Sequence, residues 1–146
     1  MSKKFINNSK FYIIFSDLFN LFLKNDSKKI VNTIDQIVKL LIKKKKTIIL
    51  PAFNLNFPKT KKTSYSEDFI QTGFINKNLI KKYDFKRTLR PMYNYAVLGP
   101  NSNSILKLKQ KTAWGKDSVI GYLVKKNATG LGLGVNYRTF NWVAIH

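Results

Sequence analysis

Apolar and polar positions along this chain fall into short runs and one long helical stripe. Phe11-Tyr12-Ile13-Ile14-Phe15 is a run of aromatic and β-branched residues that ends at the polar pair Ser16-Asp17, which predicts a buried strand opening into a polar loop. After Asp26-Ser27, either able to cap a helix, apolar residues recur at Ile30, Val31, Ile34, Ile37, Val38 and Leu41. That i, i+3, i+4, i+7 spacing lines one helical face. The run Lys43 to Lys46 closes the helix, where positive charge complements the carbonyl end of the dipole. Thr47-Ile48-Ile49-Leu50 then reads as a parallel-sheet strand stopped by Pro51. Strand, helix and strand within this length predict a right-handed β-α-β start.

From Ala52 to Thr72 the chain is rich in Asn, Pro, Lys, Thr and Ser and has no periodicity. This predicts a long surface loop rather than a second domain. Further on, the pattern predicts a short helix over Phe74 to Lys82, a strand over Tyr95 to Leu98 ended by Gly99-Pro100, and a helix over Ser118 to Lys126. Gly130-Leu131-Gly132-Leu133-Gly134-Val135 alternates small and apolar residues, the pattern of a buried strand closely approached by other backbone. These glycines lie within a strand and no helix pattern follows them, so they do not form a dinucleotide fingerprint. The elements together predict an α/β fold, a mainly parallel sheet flanked by helices in a three-layer sandwich.

Composition narrows the chemistry. At 146 residues, with 44% hydrophobic residues, the chain is long enough for one domain with a sizeable core. It contains no cysteine, which excludes disulfides, thiolate metal sites and an acyl-cysteine intermediate. Its single histidine is His146, at the end of the chain, so no multi-histidine metal site and no internal Ser-His-Asp arrangement can be drawn. No apolar run is long enough to span a bilayer or to form a signal core, and the expected location is cytoplasmic. The formal charge of +20 would suit a nucleic-acid or other anionic partner. Lys, Asn and Ile are over-used throughout, however, including in ordinary helix and strand, which points to codon bias as the competing source of that charge.

Four blocks carry a resemblance. Asp84 to Gly99 contains Arg87-Thr88, the two residues Leu89-Arg90, then Pro91 and an apolar strand ending in Gly99. The others, in chain order around it, are Ser16-Asp17 after a strand, the strand end Leu50-Pro51-Ala52-Phe53, and Trp114-Gly115-Lys116-Asp117-Ser118 before a helix. In these blocks and their order the chain resembles the aminoglycoside 3-N-acetyltransferase-like family, over the amino-terminal part of the family domain. The final block, Leu131 to Val135 followed by Asn136 to Phe140, is similar to the family's strand leading to a catalytic His. One register places His146 at that position, and a second places Trp142 there. Phe15 and Arg90 stand where many members have His.

The resemblance implies a single acetyltransferase-like α/β domain over residues 1–146, truncated at its carboxyl end. It implies transfer of an acetyl group from acetyl-CoA to an amino group of an aminoglycoside or amino sugar, and association with antibiotic resistance. His146 would be the general base, because its pKa lies near neutrality. Ser16, Asp17, Thr72 and Arg87 would contact acetyl-CoA, and no metal is implied. A strongly basic surface repels a polycationic antibiotic and attracts an anionic, nucleotide-linked amino sugar, so the amino sugar is the expected acceptor. Two other readings stay open from the residues alone. One is a basic nucleic-acid-binding module, with Tyr and Phe interleaved with Lys from Tyr65 to Tyr95; the other is an inactive acetyltransferase remnant.

Overall fold

The computed structural model describes residues 6–17, 21–22, 26–62, 70, 72 and 74–136. Five strands form one sheet: β1 (Phe11–Ser16), β2 (Thr47–Pro51), β3 (Lys86–Arg87), β4 (Tyr95–Leu98) and β5 (Thr129–Leu133), in the order β3-β4-β2-β1-β5. The helices are α1 (Ser27–Lys43), α2 (Phe57–Thr60), α3 (Phe74–Lys82), α4 (Ser102–Leu106) and α5 (Val119–Lys125).

The opening β-α-β unit forms as the hydrophobic pattern predicts. Asp26 caps α1, its carboxylate accepting from the Lys28 N–H at 2.8 Å, which satisfies one of the donors a helix start leaves open. The stripe Ile34, Ile37, Val38 and Leu41 is buried against the sheet, whereas Val31 is exposed. Val38 and Leu41 have no exposed surface, and each contributes about 1.5–3 kcal/mol through burial. The helix closes at Lys44, and Lys45 adopts a left-handed φ of 52° that turns the chain into β2. Pairing of β1 with β2 is parallel, Phe11 lying opposite Thr47.

The sheet is mixed rather than mainly parallel. β1 pairs in parallel with β2 and β5, but β4 is antiparallel to β2 and β3 is antiparallel to β4. The cause is the two-residue strand β3, too short to leave a hydrophobic pattern. Without it, α3 leading to β4 reads as a crossover to another parallel strand. With it, the chain leaves α3 along β3, reverses, and inserts β4 between β3 and β2.

Side chains on the two faces of the sheet form separate cores. Tyr12, Ile14, Ile48, Leu50 and Ala96 pack with α1 and α3 on one face. Phe11, Ile13, Ile49, Tyr95 and Val97 pack with α4 and α5 on the other. Helices on both faces give the three-layer arrangement, and they explain why β2 is apolar without alternation: Ile48, Ile49 and Leu50 are all fully buried. The glycine-rich strand departs from expectation. β5 is paired only with β1 among the described strands, and Gly130 and Gly132 are exposed. Close backbone approach occurs just past the strand, at Gly134, whose φ is +71°. A Cβ there would lie 2.5 Å from the Asp17 carbonyl oxygen, so this position accepts only glycine without rearrangement.

Candidate active site at the carboxyl edge of the sheet

Strand directions decide what meets at one edge. The carboxyl ends of β1, β2, β3 and β5 and the amino end of β4 fall together. This edge is where open α/β sheets place their ligands. It gathers Ser16 and Asp17 from β1, Ala52 and Phe53 from β2, Arg87 from β3, Asn94 and Tyr95 from β4, and Gly134 after β5. The Asp17 N–H donates to the Leu133 carbonyl at 2.9 Å, so the turn after β1 is held against the end of β5.

Two side chains clamp the end of β2. The Thr72 hydroxyl donates to the Pro51 carbonyl and accepts from the Phe53 N–H, both at 3.0 Å. Asn76, in the first turn of α3, donates its Nδ2 to the same Pro51 carbonyl at 3.0 Å. Because that carbonyl only accepts, the Asn76 amide must present nitrogen to it, which directs Oδ1 elsewhere. Arg87 ties β3 to the same place. Its Nη2 donates to the Ala52 carbonyl at 2.7 Å, its Nε donates to Asn94 Oδ1 at 2.9 Å, and Nη2 also contacts that oxygen. Arg90, in the β3–β4 connection, donates to the Gln110 carbonyl at 3.1 Å.

Beyond β2 lies an aromatic group. Phe53 meets Tyr93, Tyr95 and Trp114 edge-to-face at centroid distances of 5.3, 5.4 and 6.4 Å, and Tyr93 is tilted against Trp114 at 5.3 Å. Edge-to-face packing suits the ring quadrupoles and fixes the wall of the site. Burial pushes the Tyr95 phenol well above the usual tyrosine range, with the neighbouring Tyr93 adding to the shift. Tyr95 is therefore a neutral donor at physiological pH.

Four buried side-chain polar atoms have no hydrogen-bond partner among the described residues: Ser16 Oγ, Asn76 Oδ1, Tyr95 Oη and Gln110 Oε1. Ser16, Asn76 and Tyr95 lie at this edge, and Gln110 is joined to it through Arg90. At the opposite edge the buried hydroxyls are paired. The Tyr12 hydroxyl donates to Asn7, and Thr47 Oγ1 accepts from Asn101. An unpaired buried polar group costs about 1–3 kcal/mol, so their concentration among the described residues makes this end the candidate binding site.

The four residues expected to contact acetyl-CoA, Ser16, Asp17, Thr72 and Arg87, all come from segments at this edge. Two of them have structural duties there: Thr72 and Arg87 hold the end of β2. His146, and Trp142 of the second register, lie outside the described residues. Sequence reasoning missed Asn76, Asn94 and the aromatic wall. A signal for Asn76 was present, because it interrupts the buried face formed by Ile75, Leu79 and Ile80. Among the described residues no group of three or more His, Cys, Asp or Glu side chains could hold a metal. No described helix is long and apolar enough to cross a membrane.

No family model matches the sequence, and no curated protein matches it. Solved structures do match in fold. Sisomicin-bound AAC-VIa superposes with a TM-score of 0.69 at 14% identity, covering 94% of this chain and 57% of that one. Aminoglycoside acetyltransferase AAC(3)-IIb gives 0.66 at 12% identity, covering 87% and 53%. The YokD protein from Bacillus subtilis gives 0.58 at 16% identity, covering 77% and 52%. The chain thus spans a little over half the length of these proteins, and over that span it has the fold of the aminoglycoside acetyltransferases.

Proposed function

We propose that the carboxyl edge of this sheet binds acetyl-CoA and that the protein transfers its acetyl group to an amino group of an aminoglycoside or amino sugar. The observation that carries this reading is the concentration of unpaired buried polar atoms at that edge, on a fold shared with aminoglycoside acetyltransferases. In the reaction the amine nitrogen attacks the thioester carbonyl, a C–N bond forms, the C–S bond breaks, and the CoA thiol leaves. The proton lost by the amine needs a base, and His146 is the one side chain in the sequence whose ordinary pKa suits that task.

Ser16, Asp17, Thr72 and Arg87 frame the acetyl-CoA site in this reading. Ser16 Oγ and Asn76 Oδ1 offer acceptors, and the neutral Tyr95 phenol offers a donor, for a chain built of amides and a thioester. The strongly positive charge of the protein favours an anionic amino sugar over a polycationic antibiotic. A thiol-release assay with acetyl-CoA tests the proposal. Turnover is expected with nucleotide-linked amino sugars and lower turnover with aminoglycosides. Efficient acetylation of aminoglycosides alone would reverse the substrate preference, and no thiol release with any amine would refute the catalytic part.

A further inference from the structure

The opposite, amino edge of the sheet holds an open cleft of about 730 Å³. Its lining includes Asn8, Lys10, Asn101, Tyr122, Lys126 and Asn127, with no carboxylate among the described residues. Since β1 is six residues long, the cleft lies about 17 Å along the strand from Ser16, at about 3.3 Å per residue. It is a separate place from the site described above.

Its walls are fixed before any ligand arrives. Lys46 Nζ donates to the carbonyls of Asn7 and Ser9 at 3.0 and 2.7 Å. The Asn7 amide donates to Thr129 Oγ1 at 2.9 Å, and the Ser9 hydroxyl donates to the Asn127 carbonyl at 3.0 Å. These bonds hold the segment before β1 against the start of β5 and against the turn after α1. Tyr122 lies edge-to-face on Phe11 at 5.8 Å and donates to Ser104 Oγ at 2.9 Å. The ammonium of Lys126 sits 5.8 Å from the Tyr122 ring centroid, which places its charge over this aromatic surface.

We propose that this cleft is a second binding site, for a small sugar phosphate. Lys10 and Lys126 line the concavity from different walls, and no carboxylate is among its described lining residues, which suits an anion. Asparagine side chains carry both a donor and an acceptor, the combination that recognises hydroxyl groups. Tyr122 adds an aromatic ring to the lining, with the Lys126 ammonium beside it. The volume falls within the usual range for small-molecule sites, about 300–1,000 Å³. A small ester fits these dimensions better than a nucleic-acid strand, which needs a continuous groove.

Titration of glucose 6-phosphate into the full chain, followed by backbone NMR shifts, tests the proposal, with glucose and inorganic phosphate as partial probes. Saturable shifts are expected at Ser9, Lys10, Tyr122 and Asn127. The double variant Lys10→Ala/Lys126→Ala should bind at least about tenfold more weakly, through loss of charge-assisted hydrogen bonds. The control Lys59→Ala/Lys61→Ala removes the same charge from exposed positions elsewhere and should change affinity by less than about twofold. Equal weakening in both variants would show diffuse charge attraction and overturn the proposal. Shifts distributed away from the cleft would also overturn it, as would shifts at the cleft produced by single-stranded RNA but not by the sugar phosphate.

Discussion

Arg87 reaches across β4 to donate to the Ala52 carbonyl at 2.7 Å, while its Nε holds the side chain of Asn94. One guanidinium thereby ties the end of the short strand β3 to the end of β2, and Asn94 is 1% exposed. Removing the guanidinium leaves that amide oxygen buried and without its donor. Arg87→Met should therefore destabilise the fold by about 2–4 kcal/mol, since hydrogen bonds to charged groups contribute about 1.5–3 kcal/mol each. Arg87→Lys should recover only part of this, because an ammonium lacks the planar fork. Urea denaturation measures both, and a loss below about 1 kcal/mol for Met would show that β3 is held by other contacts.

Asn76 should show the opposite balance. Its Oδ1 is buried and has no partner among the described residues, an unsatisfied acceptor that costs the unliganded fold about 1–3 kcal/mol. Asn76→Leu keeps the branched skeleton, removes the orphan acceptor at the expense of the Nδ2 bond, and leaves Thr72 bonded to the Pro51 carbonyl. The expected result is a Tm raised by about 2–4 °C, the shift that about 1 kcal/mol produces in a domain of this size, with weaker acetyl-CoA binding. Thermal unfolding and calorimetry together check this. A variant that is less stable than the parent would mean that Asn76 serves the fold rather than a ligand.

Asp35 on α1 makes stability depend on acid. Burial alone would raise its pKa, but hydrogen bonds from Lys82, Tyr83 and Lys39 outweigh that and lower it from 3.8 to about 2. Lys82 Nζ and the Tyr83 hydroxyl donate to one carboxylate oxygen at 2.8 and 2.6 Å, and Lys39 pairs with the other at 3.0 Å. A depressed folded pKa stabilises above the unfolded value and is lost as the group protonates. The contribution should be fully present above pH about 5 and should disappear as pH falls through about 4 to 2. The two lysines are largely exposed, so solvent screening limits the effect to about 1 kcal/mol. Chemical denaturation of the parent and of Asp35→Asn across this range should show the parent losing its advantage. An advantage independent of pH would contradict the assignment. Tyr83, held up to about 12 by burial and by Asp35, should likewise contribute below pH 10 and lose that contribution as pH rises through about 12.

Gly134→Ala should disturb the candidate site through the backbone. The substitution places a methyl group against the Asp17 carbonyl and the Leu21 side chain at a positive φ, so the turn after β1 must shift. Strain of this kind costs about 1–3 kcal/mol. Weaker acetyl-CoA binding should accompany the lost stability. Unchanged affinity in the folded variant would separate the Asp17 turn from the ligand.

Much of the frame was legible because burial leaves a periodic trace. The α1 stripe from Ile34 to Leu41, the uniformly apolar β2 and the Ser118 cap of α5, whose hydroxyl accepts from the Gly121 N–H at 3.0 Å, all follow from residue type and spacing. Strand direction did not follow, because it turns on Lys86–Arg87, a strand of two residues with no hydrophobic signature. Exposure of β5 was missed for a different reason: alternating glycine and leucine look alike in a buried strand and at a sheet edge. At the candidate site, the sequence indicated Ser16, Asp17, Thr72 and Arg87 through resemblance. It did not reveal that Thr72, Asn76 and Arg87 converge on the end of β2, since those contacts join positions 21 to 35 residues apart.

Isothermal titration of acetyl-CoA into the intact chain tests the central claim most directly, with polyphosphate as the control for a protein of charge +20 and Thr72→Val as the site variant. The account predicts saturable binding beyond the polyphosphate control, weakened at least about tenfold in Thr72→Val, where the clamp on the Pro51 carbonyl and Phe53 N–H is lost. Heats no greater than those of polyphosphate, or binding indifferent to Thr72, would contradict an acetyl-CoA site at the carboxyl edge of this sheet.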